Sequence, residues 1–192
     1  MKYDTIIFDM DGTLVDSKIN FPAIYQALNL KPGNSIVEHV NSLQEEDRKS
    51  AMDIVHFYEE EGARLSRPIP GAFALVEELN QRKINIGVFT LNSRAIALKT
   101  LQLHQFNISV VVTRDDAKPK PDPEGLHKIC EHFSTSQEKA LYVGDYKYDL
   151  IAGKNANIKT ALFSPLPPDF NTADAYRQFT QFHELARYLF ES

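Results

Sequence analysis

The sequence lacks the features of secreted, membrane and nucleic-acid-binding proteins. It has one cysteine, Cys130, so no internal disulfide can form and nothing points to an oxidising compartment. The net charge of -5 gives no support to a nucleic-acid-binding surface. No apolar run could span a membrane, and the opening MKYDTIIFD is too short in apolar residues for a signal peptide. We therefore expect a cytoplasmic soluble protein with no nucleic-acid or membrane partner.

The remaining composition is that of an ordinary globular protein. Apolar residues make up 43% and charged residues 24% of the 192 residues. This length and balance allow a real hydrophobic core in one compact domain, with room for an insertion.

Apolar segments of strand length alternate with segments of helical periodicity along most of the chain. The strand-like segments are rich in Val, Ile and Phe and lack clean polar alternation, which is typical of strands buried on both faces. They lie at 5–8, 84–90, 108–113, 140–145 and 158–163. The helical segments lie at 72–83, 93–104, 123–133, 148–156 and 179–192. This order predicts an α/β fold with a doubly wound parallel sheet.

One stretch, residues 18 to 68, interrupts this alternation and contains no convincing strand. It predicts helices at about 20–29, 36–48 and 50–66. The sequence RPIPGA at 67–72 then reads as a hinge, because proline and glycine end helices and fix turns. The predicted domains are a core of residues 1–16 and 70–192 and a helical insertion of residues 17–69.

Polar side chains stand where the predicted strands end. Parallel α/β sheets bind ligands at the carboxyl ends of their strands, so these side chains are expected to converge on one cleft. Each of them alone is an ordinary loop or cap residue, and their joint order is what favours a site. The set is Asp9, Asp11, Thr90, Asn92, Lys118, Lys120, Asp145 and Asp149.

The chemistry of such a cleft follows from its donors. Several carboxylates in one place need a neutralising cation, and oxygen ligands favour a hard ion such as Mg²⁺. A lysine and a threonine hydroxyl suit the oxygens of a phosphate. Asp9 could attack phosphorus as a nucleophile. Asp11 could protonate the leaving oxygen and later take a proton from water.

The motifs together resemble those of the haloacid dehalogenase-like hydrolase superfamily. They are DMDGT at 9–13, the strand-end Thr90, a Lys-Pro-Asp-Pro loop and GDYKYD at 144–149. The resemblance covers essentially the whole chain and implies a Rossmann-like core with a cap inserted after the first strand. The helical insertion resembles the small C1-type cap of phosphoglycolate phosphatase-like and β-phosphoglucomutase-like members.

The resemblance assigns roles to the first two motifs. It implies that Asp9 is the nucleophile and a metal ligand. Asp11 would be the general acid and base, with its backbone carbonyl on the metal. Thr90 would bind the phosphoryl oxygens, helped by the backbone amides of Leu91 and Asn92.

The last two motifs complete the implied site. Lys120 would neutralise the nucleophile and the phosphate, although Lys118 also fits the Lys-Pro-x-Pro pattern. We favour Lys120 because Asp122-Pro123 then begins the next helix. Asp145 would ligate Mg²⁺, and Asp149 would do so directly or through water.

The residue that follows Asp145 departs from the family pattern. Many relatives carry a small or hydroxyl residue there, whereas this chain has Tyr146. The ring would narrow the site or lie along its wall.

The implied activity is that of a Mg²⁺-dependent phosphatase for small phosphorylated metabolites, acting as a monomer or weak homodimer. Asp11 argues against a dehalogenase, which lacks this carboxylate. A phosphonatase needs a cap lysine, and Lys18, Lys31 and Lys49 show no such signature. A phosphomutase of the β-phosphoglucomutase type, with His39 and Lys49 as candidate cap contacts, is one alternative. A non-catalytic phosphate-binding regulatory protein is the other.

Overall fold

The computed structural model describes residues 2–191, which form two compact units. One unit holds the chain up to Asp16 and again from Arg67 onward, and the other is Ser17–Ser66. The short strands Val15–Asp16 and Arg67–Pro68 pair with each other, so the first unit takes up the chain three residues before the predicted return at residue 70. Within residues 2–191, no helix is long and apolar enough to cross a membrane.

Eight strands are present among the described residues. They are β1 (Thr5–Phe8), β2 (Val15–Asp16), β3 (Arg67–Pro68), β4 (Asn85–Phe89), β5 (Val110–Val112), β6 (Ala140–Gly144), β7 (Lys159–Phe163) and β8 (Arg177–Phe179). Six form one sheet in the order β5-β4-β1-β6-β7-β8, and every pairing in it is parallel. The predicted doubly wound parallel sheet is therefore confirmed.

Eight α-helices accompany the strands in the described part of the chain. They are α1 (Phe21–Ala27), α2 (Ile36–Ser42), α3 (Glu45–Leu65), α4 (Ala72–Gln81), α5 (Arg94–Leu103), α6 (Glu124–His132), α7 (Lys147–Asn155) and α8 (Phe182–Phe190). A short 3₁₀ turn covers Gln137–Lys139. The first three helices form the insertion, and the other five belong to the unit with the sheet.

Both faces of the central strand are buried, which explains why its sequence is apolar after Thr5. Ile6 and Phe8 contribute to one hydrophobic cluster, with Val88 and Leu141. Ile7, between them in sequence, contributes to a second cluster on the opposite face. Successive side chains of a strand point to opposite faces, so a strand covered on both sides admits a polar side chain only where it has a hydrogen-bond partner, as Thr5 has in Thr135.

The insertion has a small core of its own. Ile24, Val40, Ala51 and Val55 are buried together. Its helices begin at polar caps, and the Asn20 side chain accepts from the Ala23 amide at 3.1 Å.

Two of the sequence predictions for helices are wrong in detail. The break between the predicted helices 36–48 and 50–66 lies at 43–44 and not at 49. Gln44 is extended, and α3 starts with three acidic residues at Glu45–Asp47. Acidic side chains are favourable in the first turn of a helix, so this is the better starting point. The predicted helix 179–192 starts instead at Phe182, because Arg177–Phe179 pairs with β7. Its last predicted residue, 192, lies outside the described residues.

Candidate active site

The candidate site lies at the carboxyl ends of three adjacent strands. β1 is flanked by β4 and β6, and the chain extends outward from it in both directions across the sheet. Asp9 follows β1, Thr90 follows β4, and Asp145 follows β6. The Asp9 amide donates to the Val143 carbonyl at 2.8 Å, so the ladder continues up to the first aspartate. Such a reversal of strand order is where open α/β sheets bind ligands.

A tight turn follows Asp9 and brings the first and fourth motifs together. The Met10 carbonyl accepts from the Leu14 and Val15 amides at 2.8 and 2.9 Å. Gly12 has φ 81°, and a Cβ at this position would overlap the carboxylate of Asp145. Glycine is therefore required both by the backbone conformation and by the close approach of Asp145.

Lys120 lies at the centre of the site and is buried. Its Nζ donates to Oδ1 of Asp9 and, at 2.8 Å, to Oδ1 of Asp149. The ammonium also lies over the rings of Phe89 and Tyr142, at 5.3 and 5.7 Å from their centroids. Two aromatic walls and two carboxylates thus enclose one cation.

Lys118, the other lysine of this loop, points elsewhere. Its side chain is 73% exposed, and its Nζ is 3.9 Å from Oδ2 of Asp122. The structure thus brings Lys120, and not Lys118, to the strand-end carboxylates.

Three donors occupy the carboxylate of Asp149. Oδ1 accepts from the Tyr142 hydroxyl at 2.6 Å as well as from Lys120, and Oδ2 accepts from the Tyr146 amide at 3.0 Å. The sequence predictions did not include Tyr142. A signal was available, since a tyrosine within a fully buried strand needs a partner for its hydroxyl.

The second motif contacts the first through Asn92. Its side-chain Nδ2 donates to Oδ2 of Asp11 at 2.5 Å, and its backbone amide donates to Oγ1 of Thr90 at 3.2 Å. Thr90 and Asn92 are both buried. The side chain of Asn92, which the strand-end pattern places at the cleft and to which the family resemblance assigns a role only through the backbone amide, thus holds Asp11.

The loop after β5 fastens the loop after β4. Arg114 donates from Nη1 to the Leu91 carbonyl at 2.8 Å. Oδ2 of Asp115 accepts from the Arg94 amide at 2.8 Å, and Oδ1 of Asp116 accepts from the Arg94 guanidinium at 2.7 Å. The backbone that carries Thr90 to Asn92 is therefore braced from outside.

Burial and mutual repulsion dominate the electrostatics of the carboxylates. Burial raises the pKa of Asp9 to about 7, because the Lys120 charge only partly offsets it and Asp149 and Asp11 add repulsion. Burial and the charges of Asp9 and Asp149 also raise the pKa of Asp145 well above its ordinary value. For Lys120, burial alone would lower the pKa, but Asp149 and Asp9 outweigh it and raise that pKa. Ionised together, these carboxylates would carry more negative charge than one lysine neutralises, and this repulsion contributes to the raised pKa values of Asp9 and Asp145.

This surplus of charge fits a hard cation. Asp9, Asp145 and Asp149 each offer an oxygen, and these oxygens lie within 4.8 Å of one another. Clustered carboxylate oxygens are the donors that Mg²⁺ prefers. The residues present thus suit a divalent ion, and Asp9 and Asp145 are better placed to bind it than Asp149, whose oxygens already accept three hydrogen bonds.

An aromatic cluster lies beside the fourth motif. Tyr146 is 39% exposed, and its ring meets those of Tyr148 and Phe170 edge-on at 5.5 and 5.3 Å between centroids. The bulky residue noted in the sequence thus stands directly after Asp145 with part of its ring open to solvent.

The doubly wound sheet, its acidic strand ends and the helical insertion after its first strand are the features expected of a haloacid dehalogenase-like hydrolase. The family model described as haloacid dehalogenase-like hydrolase matches residues 6–163, and the chain belongs to this family. The membership expected from the motifs is thus confirmed, and the protein is a haloacid dehalogenase-like hydrolase.

Similar proteins agree with this assignment. The pyrophosphatase PpaX of Bacillus cereus strain Q1 is 30% identical over 183 residues, covering 85% of this chain and 84% of that protein. A haloacid dehalogenase-like hydrolase domain-containing protein of Arabidopsis thaliana is 28% identical over 190 residues, covering 91% and 78%. The crystal structure of a hydrolase from Pseudomonas syringae has the same fold, with a TM-score of 0.81 at 20% identity and 98% of each chain covered.

Proposed function

We propose that the protein is a Mg²⁺-dependent phosphatase that hydrolyses small phosphorylated metabolites through an aspartyl-phosphate on Asp9. The observation that carries this proposal is the buried Lys120, which contacts Asp9 directly and lies among the strand-end carboxylates. The ammonium of this buried lysine contacts a carboxylate and can also donate to a phosphate oxygen. This arrangement fits phosphate binding better than a purely structural role.

The proposed metal would be held by the carboxylates of Asp9 and Asp145 and by the backbone carbonyl of Asp11. When bound, Mg²⁺ would neutralise the crowded carboxylates and the charge of the phosphate. Asp149 would serve the site chiefly by holding Lys120, since its oxygens already accept from three donors.

The proposed reaction has two steps. An oxygen of Asp9 attacks phosphorus while Asp11 gives a proton to the leaving oxygen, so the bond from phosphorus to the leaving group breaks. Asp11 then takes a proton from water, the water oxygen attacks phosphorus, and the bond to Asp9 breaks. Thr90 and Lys120 would stabilise the phosphoryl oxygens in both steps, and Asn92 would orient Asp11.

The insertion Ser17–Ser66 would act as the cap that selects the substrate and excludes water. Its small core supports a unit that keeps its own shape. We place the protein in the cytoplasm, with its single buried Cys130 as a reduced thiol, and we expect a monomer or weak homodimer.

Phosphate release tests the proposal. The substrates are p-nitrophenyl phosphate, a panel of phosphorylated metabolites and inorganic pyrophosphate. Pyrophosphate is included because the PpaX relatives are named pyrophosphatases. Release at neutral pH with Mg²⁺ and none with EDTA is the expected result. Absence of release from every compound would contradict the proposal, and phosphorylation of Asp9 without release would then favour a phosphomutase.

A further inference from the structure

Tyr142 is a buried tyrosine whose ring and hydroxyl have different surroundings. It lies in the middle of β6, paired with Ile7 on one side and Thr160 on the other. Its ring packs in the same apolar cluster as Phe89 and Ile129. A phenylalanine would fill that volume without a polar atom to bury, so the hydroxyl is the part of this side chain that needs an explanation.

The hydroxyl of Tyr142 forms its hydrogen bond with Asp149. It donates to Oδ1 at 2.6 Å, and the Tyr146 amide holds Oδ2 at 3.0 Å. Gly144 makes room, because a Cβ there would overlap the Asp149 side chain. The orientation of Asp149 is therefore determined from both of its oxygens.

Asp149 in turn fixes the end of a flexible side chain. Lys120 has four rotatable bonds before its ammonium, and its Nζ lies 2.8 Å from Oδ1 of Asp149. The same ammonium contacts Asp9. A rotation of Asp149 would therefore move the ammonium away from the carboxylate of Asp9.

We propose that Tyr142 is a positioning residue, whose hydroxyl holds Asp149 so that Asp149 holds the Lys120 ammonium against Asp9. The effect on catalysis rests on the proposed function, but the effect on Lys120 does not. Partners of this kind, one contact removed from the reacting groups, typically change activity about 10–100-fold when they are lost.

Tyr3 provides a matched control. It is also buried, and its hydroxyl also makes a hydrogen bond inside the protein, to the Tyr188 hydroxyl at 2.9 Å. It precedes β1, whereas Asp9 follows that strand, so it lies at the opposite edge of the sheet. Tyr3→Phe and Tyr142→Phe therefore each remove the hydrogen-bonded hydroxyl of a buried tyrosine and keep the ring.

The first readout is the reactivity of Lys120 in metal-free protein. Acetic anhydride labelling followed by peptide mass spectrometry should show several times more acetylation at Lys120 in Tyr142→Phe than in wild type, and no change in Tyr3→Phe. Asp149→Asn, which removes the charge that holds the ammonium, should raise the labelling at least as much. It also keeps the test open if Tyr142→Phe does not fold.

The second readout is steady-state turnover. Tyr142→Phe should lower kcat about tenfold with KM nearly unchanged, because the contact matters for the chemical step. Unchanged labelling of Lys120 in a folded Tyr142→Phe would overturn the proposal, whatever Asp149→Asn shows, and so would equal increases in Tyr142→Phe and Tyr3→Phe. If Tyr142→Phe does not fold, unchanged labelling in Asp149→Asn overturns it, because Asp149 would then not hold Lys120. If the wild type releases no phosphate at all, the proposed function fails, and the labelling alone decides the role of Tyr142.

Discussion

Two lysines with tyrosine neighbours lie at opposite ends of strand β1. Lys120 meets Asp9 at the carboxyl end, next to Tyr142. Lys2 lies before the amino end, where its Nζ donates to the hydroxyls of Tyr176 and Tyr188 at 3.0 and 3.1 Å. The residue types are partly the same, but one cluster is closed to water and the other is not.

The difference lies in what each lysine is paired with. Buried Lys120 has two carboxylate partners, because an ammonium removed from water requires an opposite charge. Lys2 is exposed and donates to two neutral phenols, and the pKa of one of them, Tyr176, is shifted. Hydrogen bonds from Lys2 and Tyr188, with Lys159 nearby, lower the pKa of Tyr176 to about 8. Similar groups thus form an ion-paired centre around Lys120, where water is excluded. Around exposed Lys2 they only lower the pKa of a tyrosine.

The largest expected effect is the loss of turnover when the proposed nucleophile of the buried cluster, Asp9, is replaced. Asp9→Asn keeps the shape of the side chain but cannot form an aspartyl-phosphate, so turnover of p-nitrophenyl phosphate should fall at least about 10³-fold. Circular dichroism should show an intact fold. Residual activity above about 1% of wild type would mean that Asp9 is not the nucleophile.

Removal of each lysine compares the two ends directly. Lys120→Met leaves buried carboxylates without their cation, which should cost about 3–5 kcal/mol of unfolding free energy in EDTA at pH 8. Lys2→Met should leave the unfolding midpoint almost unchanged, because water replaces the lost contacts. The measurement is urea unfolding of both variants, and equal midpoints would show that burial does not separate the two clusters.

The dependence of activity on Mg²⁺ tests the buried cluster at Asp145. Asp145→Asn should raise the Mg²⁺ concentration for half-maximal activity at least about tenfold and reduce the rise in melting temperature on adding Mg²⁺. Asp174→Asn is a suitable control, because Asp174 is paired with Lys154 at 2.9 Å away from the site. Identical Mg²⁺ titrations for the two variants would remove Asp145 from the ligand set.

The smallest expected effect concerns the exposed end. Absorbance of tyrosinate against pH should show one of the eight tyrosines ionising near pH 8, since the folded pKa of Tyr176 lies below its ordinary value. Tyr176→Phe should remove this step, and Lys2→Met should move it to higher pH. A titration without any step below pH 9 would contradict the assignment of about 8 to Tyr176.

Much of the sheet could be predicted because its strands are buried on both faces and read as unbroken apolar runs. β8 was missed for the opposite reason. It is a three-residue edge strand, and Arg177 and Gln178 are exposed, so only Phe179 carries an apolar signal. The division between α2 and α3 was misplaced because no glycine or proline marks it.

The site was predictable as a set of positions but not as a network. Strand order alone brings Asp9, Thr90 and Asp145 to one edge. The contacts of Asn92 with Asp11 and of Tyr142 with Asp149 depend on side-chain direction across separate strands and loops, which a single sequence does not reveal. Their roles in catalysis stay predictions until the variants are measured.

The paired strands β2 and β3 have a consequence for how this protein can change. Val15 is paired with Pro68 and Asp16 with Arg67, so the chain leaves and rejoins the sheet unit through neighbouring residues. Everything between these residues is a closed loop whose ends are already joined by a ladder, and lengthening such a loop adds little to its closure entropy. Insertions within Ser17–Ser66 are therefore expected to cost the unit that holds the sheet little stability.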